Sequence, residues 1–244
     1  MSTVKVEHRD DLLLVTIDRP AVRNAVDRPT AEALSQAFRE FDLDPALKVA
    51  VLTGAGGQFC AGADLKAIAS GTGNRVLEVG DGPVIAAVEG HAVAGGLELA
   101  IWCDLRVAAR DAVFGVYCRR FGVPLIDGGT IRLPRLIGHS RALDMILTGR
   151  AVAADEALQM GLCNRVCEPG DAVTTALTLA RTLADFPHRC MRADRASAYQ
   201  QWDLPLDVAL LEETRRGLAV ITSGETLAGA ARFTGGQGRH GSGT

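Results

Sequence analysis

No stretch of this chain approaches the roughly 20 consecutive apolar residues that a membrane-spanning helix requires. The first residues, MSTVKVEHRDDLLLVTID, lack an uninterrupted apolar segment of signal-peptide length with a small-residue cleavage site. Charge of one sign is also scarce. The net charge is −3 over 244 residues, so nothing points to nucleic acid or an anionic membrane as a general partner. The five histidines and six cysteines do not cluster. Cys163 and Cys167 form the nearest cysteine pair, and no second pair or His-x-x-x-His follows to complete a metal site. The cysteines read as reduced, mostly buried thiols of an intracellular protein. The expectation is a soluble cytoplasmic chain with no metal site. Several nucleotide and nucleophile motifs are missing too. Gly54 and Gly56 open a G-x-G, but Phe59 stands where a dinucleotide fingerprint needs its third glycine. There is no G-x-x-x-x-G-K-[ST] phosphate loop and no G-x-S-x-G nucleophile elbow.

What is present is an ordinary globular composition, 48% hydrophobic and 23% charged. VKVEH (4–8) and LLLVTIDRP (12–20) read as two strands across a turn, with alternation clear in the first and fading in the second. Residues 27–41 carry a helical stripe of Ala33, Leu34, Ala37, Phe38 and Phe41, with Asp27 placed to cap it. KVAVLTGAG (48–56) and PVIAAVEG (83–90) are apolar strands, and 105–115 reads as a further strand. Strand, loop and helix thus alternate along an α/β core with crossover connections. From about residue 129 the pattern is mainly helical, with segments ending near glycines that suit C-caps. CNRVCE (163–168) is a last short strand, and 171–186, 193–201, 206–222 and 225–234 read as helices. Residues 71–82 read as loop, and the Gly-rich end GGQGRHGSGT as mobile.

Two strand-to-helix junctions carry chemistry. LTGAGGQFCAGADLK (52–66) and VEGHAVAGGLELA (88–100) both place small residues where a strand hands over to a helix. Small residues let a ligand approach the backbone, and helix N-termini present free N–H groups. Two such groups aimed at one point would form an oxyanion hole, although tight turns alone would also use these glycines. Within the second junction Glu98 is the one charged residue of an otherwise apolar run, 92–102. A carboxylate there needs compensation, from nearby backbone groups or from a functional partner.

QFCAGADLKAI (58–68) followed by PVIAAVEGHAVAGGLELAIWCDLRVAA (83–109) resembles the crotonase superfamily, the enoyl-CoA hydratase/isomerase fold. The likeness continues through GVPLIDGGTIRLPRLIG (122–138) and ALDMILTGRAVAADEALQMGLCNRV (142–166), and DRPAVRNAV (18–26) matches the family's N-terminal motif. It spans about residues 4–170. The resemblance implies an α/β, crotonase-like spiral of ββα turns over 1–190 that holds the acyl-CoA site. A C-terminal helical trimerisation region would follow over 191–244. It implies an acyl-CoA thioester as substrate, no cofactor besides the CoA that arrives with it, and a homo-trimer or dimer of trimers. By motif position the oxyanion hole belongs to the N–H groups of Ala63 and Gly95. Ala61, Asp64, Leu65 and Lys66 fall where the family touches CoA, and Arg23 is placed near its phosphate or adenine. Glu98 matches the first catalytic glutamate of hydratases, which holds and helps activate water.

The sequence departs from the family elsewhere. Counting from Phe114–Gly115, Cys118 stands where hydratases carry a second glutamate. A thiol is a much weaker acid than a carboxyl group, so Cys118 either donates a proton poorly or only packs. Asp127, in PLIDGG, either replaces the missing carboxylate or caps the helix that starts at Gly128–Gly129. Tyr117 is a third group able to orient water. Asp104 and Arg106 read as structural. Segment 67–82 is short, leaving the acyl length open, and at the C-terminal end Arg232 remains where relatives are richer in lysine. The expected reaction is hydration of a trans-2-enoyl-CoA to a 3-hydroxyacyl-CoA. Isomerisation or C–C cleavage on the same fold is the alternative, and a catalytically weak CoA-ester binder is another.

Overall fold

The apolar runs become strands that feed helices. The computed structural model describes residues 2–69 and 80–236. In order the elements are β1 (Val4–Arg9), β2 (Leu12–Ile17), α1 (Arg28–Leu43), β3 (Val49–Gly54), α2 (Leu65–Ala69), β4 (Val84–Val88) and β5 (His91–Val93). Then come α3 (Gly95–Trp102), β6 (Leu105–Ala109), β7 (Val113–Gly115), α4 (Gly129–Ile137), α5 (His139–Thr148), β8 (Ala151–Ala153), α6 (Ala154–Met160) and β9 (Arg165–Cys167). The chain ends in α7 (Ala172–Ala184), α8 (His188–Gln200), α9 (Leu206–Thr222) and α10 (Glu225–Thr234). It divides between Arg181 and Thr182 into two compact units.

In the first unit six strands form one sheet in the order β1-β2-β3-β4-β6-β9. Only β1–β2 is antiparallel; the other neighbours are parallel. Every residue of β3 and β4 is buried, as apolar strands covered on both faces must be. Helix α1 starts where Asp27 accepts the Thr30 N–H at 3.0 Å, and its stripe of Leu34, Ala37, Phe38 and Phe41 is buried. Phe38 meets Trp102 of α3 edge to face at 4.8 Å, a geometry that aromatic pairs favour. Asp104 accepts the Val84 N–H, and the buried Arg106 donates to the carbonyls of Leu162 and Cys103. Both side chains hold backbone groups in place.

A second sheet, β5-β7-β8, is what positions the site. Strands β5 and β7 run parallel, with Val93 opposite Gly115. The chains leaving them therefore emerge on the same side. One leads through Ala94 into α3 and Glu98, the other into a 3-10 helix, Tyr117–Phe121, that carries Cys118. Ala94 N–H donating to Gly115 O at 2.8 Å ties the two exits together.

Four expectations are corrected here. Residues 105–115 are not one strand: Ala112 N–H turns back onto Ala109 O, and β6 and β7 join different sheets. Strands β5 and β8 were not foreseen, because three residues show no periodicity. The alternation expected in β1 is absent, since Val4 alone is buried; β1 is an edge strand with one neighbour. Helix α8 starts at His188, five residues before the expected 193. The expected loop at 71–82 and the mobile C-terminal segment lie largely outside the described residues.

In the second unit α8 and α10 each pack on α9. The Glu225 carboxylate accepts the backbone N–H groups of Arg189 and Cys190, satisfying the start of α8. Leu206, Leu211, Leu218, Leu227 and Phe233 are exposed on these helices. Among the described residues no helix is long and apolar enough to cross a membrane.

Candidate active site

Two loops close on each other at the ends of β3 and β5. Cys60 bridges Ala92 in parallel, with Cys60 N–H donating to His91 O and Val93 N–H to Cys60 O. On its other side the same loop is held by residues 23–26: Ala61 N–H donates to Arg23 O, Val26 N–H to Gly62 O and Asp64 N–H to Val26 O. These bonds use up the backbone around Ala63 and leave its own N–H without an acceptor among the described residues. The Gly95 N–H, first in α3, has none either. The two loops approach because Gly62 has no side chain. A Cβ there would lie 2.7 Å from Gly95 N, and its φ of +96° suits glycine alone. A Cβ on Gly95 would in turn lie 3.3 Å from Ala63 N. Two free donors thus sit side by side at the mouth of a helix, where the dipole reinforces them.

Ala94 just before them adopts φ +56°, ψ −126°. That backbone region is open essentially to glycine, and holding alanine in it costs about 1–3 kcal/mol. Strain of this kind concentrates at sites where the direction of a peptide matters, and here it aims the Gly95 N–H.

Glu98 lies in the first turn of α3, three residues beyond Gly95, and is 3% exposed. Its Oε1 accepts the Asp127 N–H at 2.9 Å and the Gly129 N–H at 2.8 Å. Its Oε2 accepts no hydrogen bond from the described residues. One oxygen is therefore gripped by the start of α4, and the other is available. Burial pushes the Glu98 carboxyl above its ordinary range; the Gly129 N–H opposes that, and the negative charge of Asp127 adds to it. The compensation that this carboxylate needs comes from a distant turn, not from its own helix.

The remaining candidates fall in two groups. Asp127 is half-buried, and burial raises its carboxyl while Arg132 pulls it down. It does not cap α4: the N-cap is Gly128, and the N–H of Gly129 is taken by Glu98. The capping alternative is therefore corrected, because Asp127 contributes its backbone N–H to Glu98 instead. Cys118 is buried at 7% exposure, its thiol raised first by burial and next by the charge of Glu98. The Tyr117 ring stacks under the Arg120 guanidinium at 4.0 Å. In the second group, Ala61 is partly exposed, while Arg23, Leu65 and Lys66 are exposed. Asp64 is engaged by Arg19 at 3.1 Å and by the Lys66 N–H at 3.0 Å. Arg19 also pairs with Asp27 at 2.9 Å and donates to Ala25 O, which fixes the 23–26 segment against the loop of residues 61–64. Buried Asn24 donates to Ala55 O and Gln58 O and accepts the Arg19 N–H. Among the described residues no group of three or more His, Cys, Asp or Glu is arranged to hold a metal.

The sequence reading missed Gly129 and Arg132. The only signal was a Gly-Gly pair after Asp127, which looks the same whether it starts a helix or holds a carboxylate.

Comparison with known proteins follows the same lines. The family model for enoyl-CoA hydratase/isomerase matches residues 7–222. The enoyl-CoA hydratase EchA19 of Mycobacterium tuberculosis is 35% identical over 244 aligned residues, covering 93% of this chain and 92% of the relative. A carnitinyl-CoA dehydratase of Salmonella arizonae is 38% identical, with 74% of each chain covered. The crystal structure of an enoyl-CoA hydratase from Mycobacterium tuberculosis superposes with a TM-score of 0.93 at 38% identity, covering 96% of both chains. With the paired free N–H groups and the buried carboxylate in place, these likenesses settle the relationship: the chain belongs to the enoyl-CoA hydratase/isomerase family, and its fold is that of the crotonases.

Proposed function

We propose that this chain hydrates a trans-2-enoyl-CoA to a 3-hydroxyacyl-CoA. The observation that carries the reading is Glu98: a buried carboxylate with one oxygen held by two backbone N–H groups, the other open, one turn from two free donors. The thioester oxygen is received by the Ala63 and Gly95 N–H groups. As water adds to C3, negative charge moves onto that oxygen, where fixed dipoles stabilise the enolate. Glu98 takes the proton of the attacking water, and its raised proton affinity suits a group that must accept and release a proton near neutral pH. The enolate then takes a proton at C2. Asp127 is the group we assign beside Glu98 in this acid–base work, because its carboxyl shares the same half-buried corner. Cys118 packs there and is the poorer acid. Ala61, Asp64, Leu65, Lys66 and Arg23 border the CoA moiety, Asp64 by shaping its loop. CoA enters with the substrate, and the reaction needs no resident cofactor. The exposed apolar residues of α9 and α10 fit packing between copies of the chain, as a trimer or a dimer of trimers. We place the protein in the cytoplasm, and take residues 1–190 as the working core with 191–244 as the assembly region.

The test is steady-state turnover of short trans-2-enoyl-CoA esters, followed by loss of the conjugated enoyl absorbance and by identification of the product. Formation of 3-hydroxyacyl-CoA supports the reading. Cys118 in place of a second carboxylate favours one other outcome, in which the double bond shifts without water being added. Tight CoA-ester binding with no turnover would point to a binder instead.

A further inference from the structure

The turn that grips Glu98 is itself held from its outer side. Arg132 lies in the first turn of α4, where the helix dipole disfavours a cation. Its Nη1 donates to Asp127 O at 3.0 Å, and its backbone N–H donates to Gly128 O at 2.8 Å. The guanidinium lies over Gly128: a Cβ on that glycine, which has a φ of +93°, would come 2.1 Å from Nη1. Asp127 is therefore held at both ends of one residue, its N–H on Glu98 and its carbonyl on Arg132. A cation placed against the dipole, half-buried and engaged on a single turn, is a local rule broken where the chemistry lies.

We propose that Arg132 is a positioning residue of the hydration site, clamping the Asp127–Gly129 turn so that its two N–H groups stay aimed at Glu98. This rests on the hydratase reading for its kinetic arm only. The clamp also has an electrostatic side. Arg132 is the cation that lowers both Glu98 and Asp127 against their burial. The titratable groups facing Glu98 are Asp127 from the turn and Cys118 from the 3-10 helix. Of the strands packed on α3, β5 carries His91, which is bonded to Gln58 Oε1, and β6 carries Arg106, which is engaged on carbonyls. Helix α4, packed on α3, carries Arg132 and Arg135, and of the two it is Arg132 whose charge lowers both carboxyls. Its removal raises both carboxyls, so the acidic limb of the rate profile moves to higher pH.

The experiment compares wild type, Arg132→Met and Arg132→Lys by kcat and KM against pH with a short trans-2-enoyl-CoA. In parallel, the Glu98 and Asp127 carboxyls of ¹³C-labelled protein are titrated by NMR. Expected for Arg132→Met are a fall in kcat of about 10-fold or more, KM within about twofold, and an acidic limb raised by about half a pH unit or more. Lysine keeps the charge but not the fork. It should restore the limb and recover kcat only in part. An unmoved limb with unchanged carboxyl titrations in Arg132→Met would overturn the proposal. If wild type hydrates no ester, the hydratase reading fails, while the carboxyl titrations still decide the role of Arg132. If Arg132→Met does not fold, Arg132→Lys decides on kcat: full activity would refute the clamp.

Discussion

Replacing Gly129 with alanine isolates the grip on Glu98. The added carbon would lie 2.8 Å from both Glu98 Cγ and Oε1, where ordinary contact begins near 3.4 Å. The backbone of Gly129 is not left-handed, so alanine fits it, and alanine loses less chain entropy on folding than glycine. What gives way is the buried Glu98 side chain, from Cγ to the held Oε1. A displacement of about half an ångström or more, with weakened bonds from Asp127 and Gly129, leaves the carboxylate misaligned with its water. Since about 1 Å of misplacement costs roughly 100-fold, kcat should drop about 10- to 100-fold. That corresponds to about 1.4–2.7 kcal/mol of barrier. KM should stay within about twofold and the melting temperature should hold or rise. The assay is the decay of enoyl absorbance beside a thermal melt. A variant within twofold of wild-type kcat would refute the idea that the α4 turn aims Glu98. A variant that melts well below wild type would refute the claim that only the side chain yields.

Further consequences follow from the same corner. Glu98→Gln should lower kcat by about 10²- to 10⁴-fold. It should also stabilise the fold as pH rises. Burial raises the Glu98 carboxyl above its ordinary 4.5, so in wild type the destabilising charge develops above that value, and below it melts of the two proteins should coincide. Asp127→Asn should lose activity about 10-fold or more, whereas Cys118→Ala should stay within about threefold; kinetics in the opposite order would move the acid–base role to the thiol. Ala94→Gly should raise unfolding free energy by about 1 kcal/mol in denaturant titrations by releasing the strained φ, offset in part by glycine's extra chain entropy. A loss of stability there would mean that Ala94 is not strained.

The legibility of this chain follows element length and locality. Strands β3 and β4 announced themselves because burial on both faces demands continuous apolar runs, and α1 because a stripe of that length and its Asp27 cap are local signals. Glu98, Ala63 and Gly95 could be named as candidates because they sit in a motif of small residues, and the close approach of the two loops at Gly62 and Gly95 is what requires those small residues. Strands β5 and β8 were not legible, since three-residue strands are made by their partners. The role of the Asp127–Gly129 turn was hidden for a similar reason. Asp127 reads equally as a second carboxylate or a cap, and neither reading reveals its backbone N–H, onto which the fold brings Glu98, 29 residues away. Arg132 lies inside a stretch that resembles the family, but nothing in the sequence singles it out there, and its bond to Asp127 O is visible only in the fold.

The central claim is that Glu98 delivers water to C3 of a thioester held by Ala63 and Gly95. The measurement that meets it most directly is turnover of a short trans-2-enoyl-CoA in ¹⁸O-labelled, deuterated water by wild type and Glu98→Gln, with the product analysed by mass spectrometry. The account predicts rapid formation of 3-hydroxyacyl-CoA carrying ¹⁸O at C3 and one deuterium at C2 with wild type, and little of either with the variant. Deuterium at carbon without ¹⁸O incorporation, or equal labelling by the two proteins, would contradict it.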